Sequence, residues 1–184
     1  SDWVNKRIKF LSPVAMRLEL KEGLNNCSII NDYHNSDFSS LDIALDFMVQ
    51  QKQQLNKTII LSDILQSGKQ DEELYHSVAT LLASKGIKKI IGVGKNISAQ
   101  KEFFPSSARF YTTTNDFIQS IDLSLFKNET ILLKGARPFG FERISTLFQK
   151  RVHETELEIN LNSIVHNLNY FKSKILPKTK IMAM

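Results

Sequence analysis

The sequence predicts an α/β fold, a mainly parallel sheet with helices on both faces. Three observations carry that expectation. Short apolar runs alternate with segments of helical period. The runs are apolar throughout rather than at every second residue, as strands buried on both faces are. Polar clusters follow three of the runs, where open α/β sheets keep their functional loops.

The elements follow in chain order. Cys27–Asp32 reads as a strand, followed by a helix over about Ser39–Gln54 with Leu41, Ala44, Leu45 and Met48 on one face. Thr58–Ser62 is the next strand, and Asp71–Ser84 a helix presenting Leu74, Val78, Leu81 and Leu82. Lys89–Val93 and Ala108–Tyr111 are strands, with a short helix or irregular turn near Ser98–Phe104 between them. A helix near Asn115–Ser120, the strand Thr130–Lys134 and a helix over about Phe141–Lys150 complete the pattern. The last thirty residues differ: Glu156–Leu161 alternates like a strand, and Asn162 is placed to cap a helix carrying Ile164, Val165, Leu168, Phe171 and Ile175. Pro177 ends that helix, and Lys180–Met184 begins a further strand. A β-α-β beginning without continuation suggests a chain cut within a second domain.

Composition narrows the function classes. Of 184 residues, 42% are hydrophobic and 23% charged, the balance of a globular protein. No run is long enough to cross a bilayer, and no secretory signal opens the chain, so a cytoplasmic protein is expected. The single cysteine, Cys27, cannot form an internal disulfide or build a zinc site alone. The net charge of +5 sits at the ends, +2 over residues 1–23 and +3 over 150–184, while 24–149 is neutral. Nucleic-acid binding needs a basic stripe on one face, and none is visible.

Several familiar motifs fail. Gly92-Val93-Gly94 is followed by Ile97 where the dinucleotide fingerprint needs glycine, and Gly94-Lys95-Asn96 is no P-loop. The four histidines lack metal-ligand spacing, so no metal site is expected, and there is no nucleophile elbow. What remains is three polar clusters beyond strand ends: Asn31–Asp37, Ser62–Gly68 and Lys134–Gly140. They make a ligand rim. The plainer alternative is that Asp37 or Ser39 caps a helix while Asp63 and Gly135 form tight turns.

These clusters carry a resemblance. Ile29-Ile30-Asn31-Asp32-Tyr33-His34-Asn35-Ser36-Asp37 resembles the Asp-Ser-Tyr-Asn-Ala-Asn-Pro-Asp-Ser motif of the Mur ligases. The likeness is to the branch adding D-alanyl-D-alanine to a UDP-N-acetylmuramoyl-tripeptide in peptidoglycan precursor synthesis. Leu61–Gly68 resembles that branch's Leu-Gly-Asp-Met-Leu-Glu-Leu-Gly loop, and Leu133-Lys134-Gly135-Ala136-Arg137 with Glu142 resembles its Val-Lys-Gly-Ser-Arg and following Glu. His76 matches a histidine at the start of the next helix, and Pro13–Leu18 the Gly-Arg segment that opens the C-terminal domain. The resemblance implies a Rossmann-like domain over residues 12–150, with 1–11 as lead-in from a central ligase domain. It implies an enzyme, an ATP-dependent amide ligase using magnesium, in which upstream UDP-sugar and P-loop domains of the same polypeptide are partners. The piece alone is expected to be inactive.

The resemblance also distributes roles. Asp32 accepts the ribose hydroxyls and Arg17 clamps phosphate oxygens, with His34 and Asn35 lining the adenine and ribose side. Asp63, Lys134 and Arg137 are the acceptor-dipeptide candidates, the cations for its carboxylate and Asp63 for its ammonium. From residue type alone Asp32 also suits an Asx-turn and Arg17 a surface ion pair. His76 reads as structural rather than as a base. The rival to the ligase reading is a non-catalytic Rossmann-like module binding a nucleotide or a protein.

The tail has its own likeness. Leu157–Leu161, Ile164–Leu168 and Lys180–Met184 resemble the start of alanine racemase, a truncated β-α-β opening of a TIM-type barrel over residues 151–184. The family's pyridoxal phosphate (PLP) lysine would follow Met184 and is absent. The resemblance implies a bifunctional parent with a racemase barrel downstream. Without those barrel neighbours to bury Leu157, Ile159, Leu161, Ile164, Leu168 and Phe171, the tail is expected to self-associate, packing against a neighbouring molecule.

Overall fold

The computed structural model describes residues 17–65, 67–150, 160–176 and 178–182. The expected lead-in, Pro13–Met16, Gln66, the strand residues 156–159, Pro177 and residues 183–184 lie outside the described residues. The chain divides into two units, Ser1–Lys150 and Arg151–Met184.

Six strands form the sheet of the first unit: β1 (Glu19–Glu22), β2 (Ser28–Asp32), β3 (Asn56–Ser62), β4 (Lys89–Val93), β5 (Arg109–Tyr111) and β6 (Glu129–Lys134). Their spatial order is β1-β2-β6-β3-β4-β5, parallel throughout except for β1, which pairs antiparallel with β2. The helices are α1 (Phe38–Gln50), α2 (Asp71–Ser84), α3 (Lys95–Ala99), α4 (Thr114–Ser120) and α5 (Glu142–Phe148).

Strand alternation divides the core into two layers. Ile30, Ile59, Leu61, Ile90 and Leu132 face α1 and α2, where they meet Leu41, Leu45, Met48, Leu74, Val78 and Leu82. Ile29, Ile60, Ile91, Ile131 and Leu133 face the other way, onto Phe117 of α4 and Ile144 and Phe148 of α5. The continuous apolar runs are thus strands buried on both sides, as expected. The chain leaves β2 and β3 toward one face but leaves β6, which lies between them, toward the other. That reversal opens a crevice at the carboxyl ends of β2, β6 and β3.

Element boundaries depart from expectation for local reasons. Helix α1 stops at Gln50 because the Lys57 ammonium donates to the carbonyls of Gln51 and Gln54 and holds them out of the helix. Helix α5 stops at Phe148 because Gln149 bridges back to Gly23 beside β1. Strand β1 went unforeseen: Glu19-Leu20-Lys21-Glu22 is a short polar edge strand with no apolar run to announce it.

Asp37 is the N-cap of α1. Its carboxylate accepts from the Ser40 N–H at 2.9 Å, and the Ser40 hydroxyl accepts from the Asp37 N–H, a reciprocal box. The Ser40 N–H holds the Asp37 carboxyl below its ordinary value. A depressed carboxyl contributes stability above its unfolded pKa of about 3.9 and loses it as pH falls through the folded value.

In the second unit, α6 (Leu161–Lys174) is the expected helix. Its cap is Asn160, whose side chain accepts from the Ser163 N–H at 3.1 Å, and Asn162 lies inside the helix instead. The helix therefore begins at Leu161, the residue expected to close the preceding strand. Residues 180–182 are not strand, against expectation, since no described strand pairs with them.

Candidate functional site

The crevice is built where β2 and β6 end side by side, with Asp32 in register with Lys134. The Lys134 ammonium, buried to 1% exposure, lies 2.9 Å from the Asp32 carboxylate and donates at 2.6 Å to the Asn35 carbonyl. The Gly135 N–H donates to the Asp32 carbonyl at 3.2 Å, tying the two strand ends by backbone as well. Gly135 must be glycine, because a Cβ there would sit 2.7 Å from the Phe141 ring. The Ala136 N–H donates to the Ser62 hydroxyl at 2.8 Å, which fastens the loop after β6 to the end of β3.

Two adjoining clefts open on this edge. One, about 220 Å³, is lined by Arg17, Leu18, Asp32, His34, Asn35, Asp37, Ser40, Ile43 and Lys134. The other, about 430 Å³, is lined by His34–Asp37, Leu65, Ala136, Arg137 and Pro138. The loop His34–Asp37 is the wall between them. The first cleft brings together all four expected nucleotide residues, Arg17, Asp32, His34 and Asn35, with a carboxylate, a guanidinium and the apolar flank of Ile43. The second presents the exposed guanidinium of Arg137. A roomier hollow of about 690 Å³, lined by Leu20–Ser28, Gln53, Gln54 and Lys150, surrounds the start of β2 at the far end of the strands. Its lining lacks the convergent carboxylate and guanidinium of the first cleft.

The three acceptor candidates separate. Arg137 alone is exposed in the second cleft. Lys134 turns toward the first, with both its bonds on the Asp32 loop. Asp63 lines neither and is 5% exposed. Its oxygens accept from the N–H groups of Asn96 (3.2 Å) and Ile97 (2.8 Å) at the start of α3, and the Tyr75 hydroxyl lies 3.4 Å away. Gly94, at φ +149°, lets the backbone approach so closely that a Cβ there would lie 2.2 Å from the carboxylate. In the structure the Asp63 carboxylate anchors the start of α3. The Tyr75 hydroxyl accepts from the Ile64 N–H at 3.2 Å, and burial pushes its pKa far above the ordinary phenol value.

His76 is exposed on α2 and packs edge-on against Phe103, with ring centroids 5.5 Å apart, a structural placement. Ser36 escaped the sequence reading. It is 7% exposed, lines the second cleft, and its buried hydroxyl has no hydrogen-bond partner. No sequence signal marks such an orphan; only the burial does. A second buried group also went unforeseen: Glu129, paired with Lys89 at 2.9 Å and accepting from the Thr58 hydroxyl at the start of the sheet. Among the described residues no group of three or more His, Cys, Asp or Glu is placed to hold a metal ion, and no helix is long and apolar enough to cross a membrane.

No family model matches the chain. Two curated relatives are the UDP-N-acetylmuramoyl-tripeptide--D-alanyl-D-alanine ligases of Bacillus subtilis (strain 168) and Rickettsia prowazekii (strain Madrid E). Each is 26% identical, over 144 and 145 residues, covering 76% and 77% of this chain but 32% of the relative. The chain thus spans about a third of the length of the curated relatives it matches. Among solved structures, MurF from Acinetobacter baumannii is similar with a TM-score of 0.64 at 21% identity, over 77% of this chain and 32% of that one. MurF ligase from Thermotoga maritima, in complex with ADP, gives 0.56 at 12% identity, over 74% of this chain and 31% of that one. The likeness is to the C-terminal domain of these ligases, and it shows the fold.

Proposed function

We propose that residues 12–150 are the nucleotide- and acceptor-binding domain of a cytoplasmic ATP-dependent amide ligase that adds D-alanyl-D-alanine to a UDP-N-acetylmuramoyl-tripeptide. One observation carries the reading: Arg17, Asp32, His34 and Asn35 line one cleft, and Arg137 lines another across a shared wall. Two ligands held on either side of one loop suit a reaction in which a phosphoryl donor activates a carboxylate that an incoming amine then attacks.

The chemistry follows from the groups present. Asp32 accepts ribose hydroxyls, and Arg17 meets phosphate oxygens whose charge shifts as the γ-phosphoryl group passes to the tripeptide carboxylate. The acyl phosphate so formed is attacked at its carbonyl carbon by the dipeptide amine; phosphate departs and the amine loses a proton. Arg137 holds the dipeptide carboxylate, which orients the amine. Closure of this domain over the rest of the ligase excludes water that would hydrolyse the acyl phosphate. In this reading magnesium is held by the upstream domains and the nucleotide phosphates.

We read residues 151–184 as the opening of an alanine racemase, supported by the run resembling that family and by α6 where its first helix belongs. On that reading the family's PLP lysine would follow Met184 and a downstream barrel would be the tail's partner.

The ligase reading is tested with the intact polypeptide that carries this domain. ADP is expected to form only when ATP, the UDP-sugar tripeptide and D-alanyl-D-alanine are all present, with one amide bond made per ADP. Nucleotide binding without any such coupled turnover would favour the non-catalytic module.

A further inference from the structure

Lys134 is the most deeply buried charge of the candidate site, and its two contacts are the Asp32 carboxylate of the first cleft and the carbonyl of Asn35 in the wall that both clefts share. We infer that Lys134 is a positioning residue of the nucleotide cleft, fixing the Asp32 carboxylate and the Asn35 carbonyl, rather than a contact for the incoming dipeptide. The inference rests on the ligase reading above and refines it.

Geometry carries the assignment. An ammonium has three N–H donors; one is spent on Asp32 at 2.9 Å and one on the Asn35 carbonyl at 2.6 Å. At 1% exposure the ammonium is not available to a carboxylate in the second cleft, where Arg137 stands exposed. The two acceptors it joins lie at either end of the segment Asp32–Asn35, so the ammonium ties that segment together. Tying the segment does two things. It selects one orientation of the Asp32 carboxylate, leaving the oxygen not facing Lys134 for a ligand hydroxyl. It also sets the height of the wall His34–Asp37 between the clefts. A buried charge pair is a poor source of net stability but a good source of fixed geometry, because one partner without the other is costly. Lys134 also sits within the electrostatic reach of Asp37, lowering its carboxyl further and so supporting the cap of α1. One ammonium thus organises the whole loop that the nucleotide meets.

The test is a split of Michaelis constants in the intact ligase. Lys134→Met is expected to raise KM for ATP at least about 10-fold while KM for D-alanyl-D-alanine stays within about twofold, and Lys134→Arg to recover part of the loss. A direct acceptor role demands the reverse, a raised dipeptide KM with ATP unaffected, and that result overturns the inference while leaving the ligase reading intact. Should Lys134→Met fail to fold, or the intact polypeptide fail to turn over, the wild-type ammonium is itself the probe. The nitrogen-15 signal of Lys134 Nζ is expected to move when ATP is added and to stay in place with D-alanyl-D-alanine. Movement with the dipeptide alone, or with neither ligand, overturns the inference.

Discussion

On the proposed ligase reading, replacing Asp32 by Ala in the intact polypeptide is expected to lower kcat/KM by about 30- to 1,000-fold, the loss of one preorganised electrostatic contact of about 2–4 kcal/mol. The change has a second consequence that the sequence did not foretell. Read from sequence, Asp32 stands at an open rim, where its removal leaves the fold untouched. In the structure it is 8% exposed and is the only carboxylate bonded to the buried Lys134 ammonium among the described residues. Asp32→Ala orphans that charge, and breaking a buried pair from one side typically costs about 3–5 kcal/mol. Two readouts separate the effects. The double variant Asp32→Ala/Lys134→Met removes both charges and is expected to regain most of the stability lost by the single variant. It is not expected to regain activity. Wild-type kinetics for Asp32→Ala would remove Asp32 from the nucleotide site.

The other large effect is on stability rather than turnover. Asp63→Ala is expected to lower the unfolding free energy by about 3 kcal/mol or more, since buried donors left unsatisfied cost about 1–3 kcal/mol each. The donors concerned are the Asn96 and Ile97 N–H groups, with the Tyr75 hydroxyl close by. The backbone cannot close the gap, because Gly94 is already seated against the carboxylate. In a urea titration the midpoint should fall with little change in slope, the signature of lost stability without altered compactness. KM for D-alanyl-D-alanine, measured where the variant is still folded, should stay within about twofold. Unchanged stability with a raised dipeptide KM would return Asp63 to the ammonium role expected from its loop.

Much of the fold was legible because burial on both faces writes itself into sequence. Ile59-Ile60-Leu61 and Ile131-Leu132-Leu133 serve two core layers at once, so their runs admit little but central strands. Helix α2 was readable at about Asp71–Ser84, and β4 at Lys89–Val93. What escaped depends on tertiary partners. Strand β1 is polar and exists through pairing with β2. The end of α1 is set by Lys57, an element away, and the cap of α6 falls on Asn160 rather than Asn162, two residues of equal capping ability.

The site was legible in its positions and less so in their duties. Loop order at strand ends located Asp32, Asp63, Lys134 and Arg137 without locating their side chains. The resemblance assigned a dipeptide's two charges to Asp63 and Lys134; in the structure both groups bond to the protein itself. Asp63 holds α3, and Lys134 ties together the segment Asp32–Asn35. Such uses depend on which strands lie side by side: β6 lies between β2 and β3, a fact of topology that no local pattern carries.

The central claim is that the cleft between the ends of β2 and β6 takes a nucleotide. The most direct measurement is a titration of this chain with ATP, followed residue by residue through its backbone amide NMR signals. On the ligase reading the phosphate-binding P-loop belongs to another domain, so the affinity of this chain alone should be weak, with Kd on the order of 1 mM or poorer. The shifts should cluster at Arg17, Asp32, His34, Asn35 and Ile43, leaving Leu24–Ser28 and Gln53–Gln54 around the far hollow unmoved. Shifts centred on that far hollow, or none at ATP concentrations of tens of millimolar, would contradict the account. A micromolar Kd would contradict it differently, by showing a self-sufficient nucleotide module in place of one domain of a ligase.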